Sequence, residues 1–328
     1  MKVTTAALPL LPLFQRLLPG LPGLPGLPGL PAVPGLPDLA GLPGRLTGLS
    51  LTLLKASALE AAILAGHLLL YPSGIIQERR PVQALRPTEE QDAQDPRPSP
   101  PPPRLPAPVS PPVVLLHGFI DNRSVFLLLR RSLAQHGRHE IESLNYSPLT
   151  CDIRTAAELL GRHIEEICER TGSARVDVVG HSLGGLIARY YVQRLGGDHR
   201  VRTLVTLGTP HAGTKVVPLA NAHPIVRQMR PGSAVIEELA RPAPGCRTRF
   251  VSFWSDLDRV MDPLETACLD HPDLSVQNVR VSGIGHLALP VHPTVATGIR
   301  QALDTAGPET GAETSTDTGK HAGGLTVA

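Results

Sequence analysis

Cysteine is scarce and scattered in this chain. Cys151, Cys168, Cys246 and Cys268 are the only four in 328 residues, and none forms a CxxC pair. That spacing argues against a structural zinc site. An excess of one charge is also missing, since 31 basic residues face 29 acidic ones and leave a net +2. No basic run interleaved with aromatics occurs either, so nothing electrostatic points to nucleic acid as a partner. A cleaved signal peptide fits poorly, because prolines break the first apolar stretch and no small-x-small site ends it.

Proline is abundant but unevenly placed: of 35 residues, most precede position 113. Residues 1–46 form a Leu/Pro/Gly-rich segment in which Gly-Leu-Pro repeats four times from Gly20. Ala32 and Asp38 stand where a collagen register needs glycine, so a polyproline-like apolar segment is the better reading. Residues 47–71 contain no proline and are strongly apolar. At ~1.5 Å per residue such a helix would span a bilayer. Lys55, Glu60 and His67 oppose a simple span, since charge in mid-membrane is costly. A membrane anchor, a helix on the bilayer surface and a helix packed on the rest of the chain therefore compete, the anchor being favoured. Residues 72–112 are a proline-rich linker, and 305–328 are expected to be a disordered tail. An anchored or exported protein follows from this layout, with the folded domain outside the cytoplasm.

From residue 113 to about 304 the pattern changes to short apolar runs alternating with helical stretches. VVLLHG, HEIESLNY, ARVDVVG, VRTLVTLG, TRFVSFWS and VQNVRVSG read as six strands, with helices near 122–135, 153–170, 182–195 and 292–304. Such alternation predicts an α/β domain, a mainly parallel sheet of about six strands covered by helices on both faces.

The chemistry centres on Gly180-His181-Ser182-Leu183-Gly184, a G-x-S-x-G motif set between the strand VDVVG and a helix. A sharp strand-to-helix turn there exposes the serine hydroxyl, and the glycines avoid steric clash. Serine needs a base to become nucleophilic, and in this arrangement the acid and then the histidine follow it in sequence. His286, on the glycine-flanked loop SGIGHLALP, is the candidate base; His271 and His292 look like surface residues. Asp256, Asp258 and Asp262 all follow the strand TRFVSFWS, and position alone does not choose between them. Two backbone N–H groups should hold the oxyanion, those of Leu183 and of Phe119 in the loop His117-Gly118-Phe119. His117 reads as a support of that loop rather than a second base. An even cysteine count permits disulfides in an exported protein. Cys246 and Cys268, which flank the candidate acids, are the pair favoured if any forms.

VVLLHGF, GHSLGGLIARYY, TLVTLGTPHAGT and SGIGHLALP together resemble the bacterial lipase and esterase families, including the small lidless lipases of bacilli. The resemblance covers residues 113–304 and implies an α/β-hydrolase fold and hydrolysis of carboxylic esters, with lipid esters the favoured substrates; no cofactor or metal is expected, because the chain supplies both the nucleophile and the oxyanion donors. In the small lipases an S-x-x-S-x-x-D pattern follows the penultimate strand. Ser252, Ser255 and Asp258 are similar in register, which implies Asp258 as the acid with Asp256 as the fallback. Thioester hydrolysis or acyl transfer would use the same three residues, and a membrane-tethered binding protein is the non-catalytic rival. The stretch 214–245 exceeds what the smallest lipases need and is expected to form a short lid.

Overall fold

The computed structural model describes residues 51–75, 110–147, 151–216, 224–305 and 325–327. The readings of 1–46, of most of the 72–112 linker and of most of the tail lie outside the described residues.

Strands β1 (Val113–Leu116), β2 (Ile141–Leu144), β3 (Val176–His181), β4 (Val201–Leu207), β5 (Arg249–Ser255) and β6 (Ser275–Val281) correspond to the six apolar runs. They lie in the order β2-β1-β3-β4-β5-β6, and every neighbouring pair is parallel. A seventh strand, β7 (Leu325–Val327), pairs in parallel with β6 through Val279 to Val281. Three residues of the tail expected to be disordered thus extend the sheet to seven strands.

Alternation along each strand sends side chains to opposite faces. Val114, Leu116 and Val178 enter one core cluster, while Val113, Leu115 and Val179 enter the other. Helix α3 (Ile153–Thr171) and α4 (Leu183–Arg194) cover the first face. On the opposite face α2 (Leu127–Gln135) and α7 (Pro293–Asp304) supply Leu129, Leu133, Val295, Ile299 and Leu303. A buried ion cluster closes the lower rim of the sheet. Asp177 on β3 bonds Arg138 at 3.1 Å and Arg202 at 2.6 Å, and Arg138 reaches Asp304 at the end of α7 at 2.9 Å.

Most of the segment expected to form a lid is built into the domain. Short helices α5 (Pro224–Gln228) and α6 (Ala234–Ala240) contribute Ile225, Val226, Val235 and Leu239 to the first core. Arg154 of α3 pairs with Glu238 at 2.6 Å, and the Tyr190 hydroxyl donates to the same carboxylate at 2.7 Å. Residues 217–223, within that segment, lie outside the described residues. All four cysteines are free thiols, so the favoured Cys246–Cys268 bridge is absent.

The apolar N-terminal helix forms as α1, described over Leu51–Ile75; residues 47–50 of the expected span lie outside the described residues. Ala56 and Glu60 on it are buried and Ile63 and Leu64 half-buried, whereas Lys55, Ala58 and Leu59 are exposed. The i, i+4, i+7/i+8 spacing of the covered residues marks one face docked on protein. Ile63 packs against the second core cluster. Packing on the domain was the third of the three readings of this segment. No helix among the described residues is long and apolar enough to cross a membrane.

Candidate active site

Parallel register brings three loops to one edge of the sheet. His181 pairs with Leu207, Leu207 with Phe253, and Ser255 with Val281, so β3, β4, β5 and β6 all end on the same side. Ser182 follows β3 directly, while Asp258 and His286 lie on the loops that leave β5 at Ser255 and β6 at Val281.

Ser182 is the only non-glycine residue with positive φ among those described, at φ 52 and ψ −118. Such backbone costs about 1–3 kcal/mol and persists where its surroundings over-determine it. Here the constraints are visible: its N–H donates to Leu207 O at 2.8 Å, and its carbonyl accepts from Thr209 Oγ1 at 3.0 Å. A Cβ on Gly180 would lie 2.6 Å from Gly185 N, and one on Gly184 would lie 2.4 Å from Leu116 O. Both glycines are needed because backbone passes within contact of their α-carbons.

His286 Nδ1 lies 2.7 Å from Asp258 Oδ2, with both groups buried. The other oxygen of Asp258 accepts from Val260 N at 2.9 Å and Met261 N at 3.3 Å. Burial acts to lower the pKa of His286, but the charge and hydrogen bond of Asp258, then Glu60 and Asp121, outweigh it and the net shift is upward. The two alternative acids lie elsewhere. Asp256 pairs with Arg280 at 2.9 Å and accepts from Gly283 N at 3.2 Å, on the outer side of the loop. The Asp262 backbone is tied to Thr214 and Lys215. His271, expected at the surface, is buried and bonds Arg241 O at 3.0 Å. His292 is half-buried at the start of α7.

The two serines that precede Asp258 in its register act as braces. The Ser252 hydroxyl donates to Ala267 O at 2.9 Å and accepts from Thr206 Oγ1 at 3.1 Å. That of Ser255 donates to Ile284 O, which ties the acid loop to the histidine loop. His117 supports its own loop: its ring stacks on Tyr146 at 4.4 Å, Nδ1 donates to Gly118 O, and the Tyr146 hydroxyl donates to His117 O at 2.6 Å. Burial holds the His117 pKa down, in keeping with a neutral structural ring.

Ser182, His286 and Phe119 line one cavity with an empty volume of about 510 Å³. Its remaining wall includes Ile120, Val216, Met229, Val260, Met261 and Leu287, an apolar surface beside the serine. Leu183 opens α4, where the first N–H groups have no partner within the helix.

Two carboxylates at this site were not anticipated. Asp121 bonds His181 Nδ1 at 2.9 Å, and His181 Nε2 lies 3.3 Å from the carbonyl of His286. Glu60 of α1 accepts from Leu287 N at 3.0 Å and Ala288 N at 2.9 Å. A lone acid in an apolar helix signals some partner, but not which one; nothing in the sequence singles out Asp121.

A parallel sheet with a strained serine at its central strand-to-helix turn, beside a buried Asp–His pair, defines an α/β-hydrolase fold. The palmitoyl protein thioesterase family matches residues 112–271, just under half of the chain. Triacylglycerol lipases of Pseudarthrobacter phenanthrenivorans and Burkholderia plantarii are each 29% identical over 112 residues, 32% of this chain. The match spans about a third of those relatives' own length, 34% and 30%. Among solved structures, the mature form of a Bacillus licheniformis lipase superposes with a TM-score of 0.51 at 17% identity, covering 60% of this chain and 94% of that one. Lipase B of Aspergillus fumigatus gives 0.54 at 18% identity, covering 61% of this chain and 54% of its own. These comparisons make the chain similar to α/β-hydrolase lipases, esterases and thioesterases.

Proposed function

We propose that this protein hydrolyses carboxylic esters, lipid esters among them, through an acyl-enzyme on Ser182. The observation that carries the reading is the buried Asp258–His286 pair, whose imidazole shares one apolar-walled cavity with a strained serine. His286 Nε2 removes the hydroxyl proton as Ser182 Oγ attacks the ester carbonyl. Negative charge collects on the carbonyl oxygen, held by the backbone N–H groups of Phe119 and Leu183. Collapse of this intermediate breaks the C–O bond, and the alcohol leaves with the proton from His286. Water then enters, gives its proton to His286 and attacks the acyl-enzyme. The acid departs as the proton returns to Ser182. Asp258 keeps the imidazole in the tautomer that presents Nε2 and stabilises the imidazolium.

The apolar wall around Ile120, Val216 and Leu287 suits an acyl chain. A fluorophosphonate probe should label the full-length protein, and Ser182→Ala should abolish the label. Folded protein that takes no label would instead support a non-catalytic binding role.

The family match favours a second reading, acyl thioester as the preferred substrate. Thioesters use the same attack and the same oxyanion donors. Comparing kcat/KM for a p-nitrophenyl ester and an acyl thioester of equal chain length decides between them.

A further inference from the structure

Features of α1 converge on the histidine loop. Glu60, only 3% exposed, places one oxygen on Leu287 N–H and the other on Ala288 N–H, the two residues after His286. Those N–H groups open a tight turn in which Leu289 N–H returns to His286 O at 3.4 Å and His292 N–H to Ala288 O at 2.9 Å. Donors at the start of such a turn have no partner inside it, so a carboxylate that takes both acts as a charge-assisted cap. This cap comes from 227 residues away in sequence.

The residue before His286 is shaped around the same carboxylate. A Cβ on Gly285 would stand 2.5 Å from Glu60 Cδ, so only glycine leaves room for it. One turn further along α1, Ile63 and Leu64 pack against Val216 and Leu287, the same pair that Ile120 and Val260 pack against in the apolar wall of the cavity.

We propose that α1 is part of the active site: Glu60 is a positioning residue that sets the His286 loop, and Ile63 and Leu64 back the acyl wall. The inference rests on the ester-hydrolase reading above. His286 is faced by Asp258 from the loop after β5, by Asp121 and His181 from beside the nucleophile, and by Glu60 from α1. Arg259 lines a small gap with Glu60, Leu257 and Gly285. When ionised, Glu60 adds negative charge near the imidazolium that forms as Ser182 loses its proton. Burial pushes the Glu60 carboxyl up, while the Leu287 N–H and the charge of His286 pull it back.

The test uses the full-length chain carrying Glu60→Gln, Glu60→Ala, Glu60→Asp or Gly285→Ala, with Ser182→Ala as the blank. Labelling rate, kcat, KM, the pH profile of short-chain ester hydrolysis and the melting temperature are measured together. Glu60→Gln should lower kcat about tenfold at little change in KM and move the acid limb of kcat/KM to lower pH, because a nearby negative charge is gone. Glu60→Ala and Gly285→Ala should lose more, and Glu60→Asp should recover part of the rate. Variants that keep the wild-type kcat and pH midpoint overturn the inference. So does a loss of rate that only follows a fall in melting temperature while the midpoint stays fixed. Wild-type protein that takes no label overturns the ester-hydrolase reading itself, a result distinct from labelled wild type with indifferent Glu60 variants.

Discussion

At the residue scale, two aspartates two positions apart have different fates because their loop turns between them. Asp258 is buried, with one oxygen on His286 and the other on two backbone N–H groups; Asp256 faces outward to Arg280. Asp258→Asn should lower kcat by about 10³–10⁴, because an amide no longer favours the required tautomer. Asp256→Asn should leave kcat within about twofold, since the amide oxygen can still accept from Gly283 N and only the charge of a partly exposed pair is lost. Equal losses in the two variants would reject the assignment. The pH profile follows from the same geometry. The base must be neutral to accept a proton, and the pKa of His286 lies above the ordinary 6.5. Activity should therefore fall as pH drops through a value above 6.5, with Ser182 still labelled slowly below it. Ser182 and His286 of the proposed triad were legible from short-range patterns, whereas position left three aspartates open and only the resemblance to the small lipases pointed to Asp258. Asp121 was not legible, because its partner His181 lies 60 residues away and only folding brings them together.

Among the elements, β1, β3 and β4 are buried along their whole length and read as strands from their largely apolar runs, whereas β2 and β6 are interrupted by polar residues and only partly buried. β7 escaped notice because Leu325–Val327 is three residues long and isolated in a polar tail. Within the segment expected to form a lid, α5 and α6 place Ile225, Val235 and Leu239 in the same core cluster as residues of α3 and α4. One polar position within a strand was also hidden. Asp177 sits fully buried in β3 between Arg138 and Arg202. Burial pushes its pKa up despite both guanidinium groups, so desolvation outweighs their attraction. Removing one member of such a cluster strands the others: Asp177→Ala should destabilise the fold by about 3–5 kcal/mol, read from the urea midpoint. The Tyr146–His117 stack lies at the opposite end of the sheet, so the active serine of the folded fraction should still label.

For the whole molecule, the question is whether α1 is an attachment or a component. Its composition invites the first answer, since a long apolar helix ahead of a proline-rich spacer resembles an anchor. Its contacts support the second. Glu60, the residue that fits a membrane span worst, is the one that reaches the loop carrying His286. The long sequence separation explains why the sequence did not show this: a helix read alone has apolar spacing but no stated partner. The two answers predict different behaviour for a chain that begins at residue 110. α1 supplies no strand, and the sheet and both core clusters are built almost wholly from residues after 112. Such a chain should keep its circular dichroism and melt cooperatively. It should nevertheless hydrolyse a short p-nitrophenyl ester at least about tenfold more slowly, because the Leu287 and Ala288 N–H groups lose their acceptor and the histidine loop loosens. The deficit should grow with acyl chain length, as the wall backed by Ile63 and Leu64 goes too. A truncated enzyme as fast as the full chain on every ester would make α1 a tether that happens to rest on the domain.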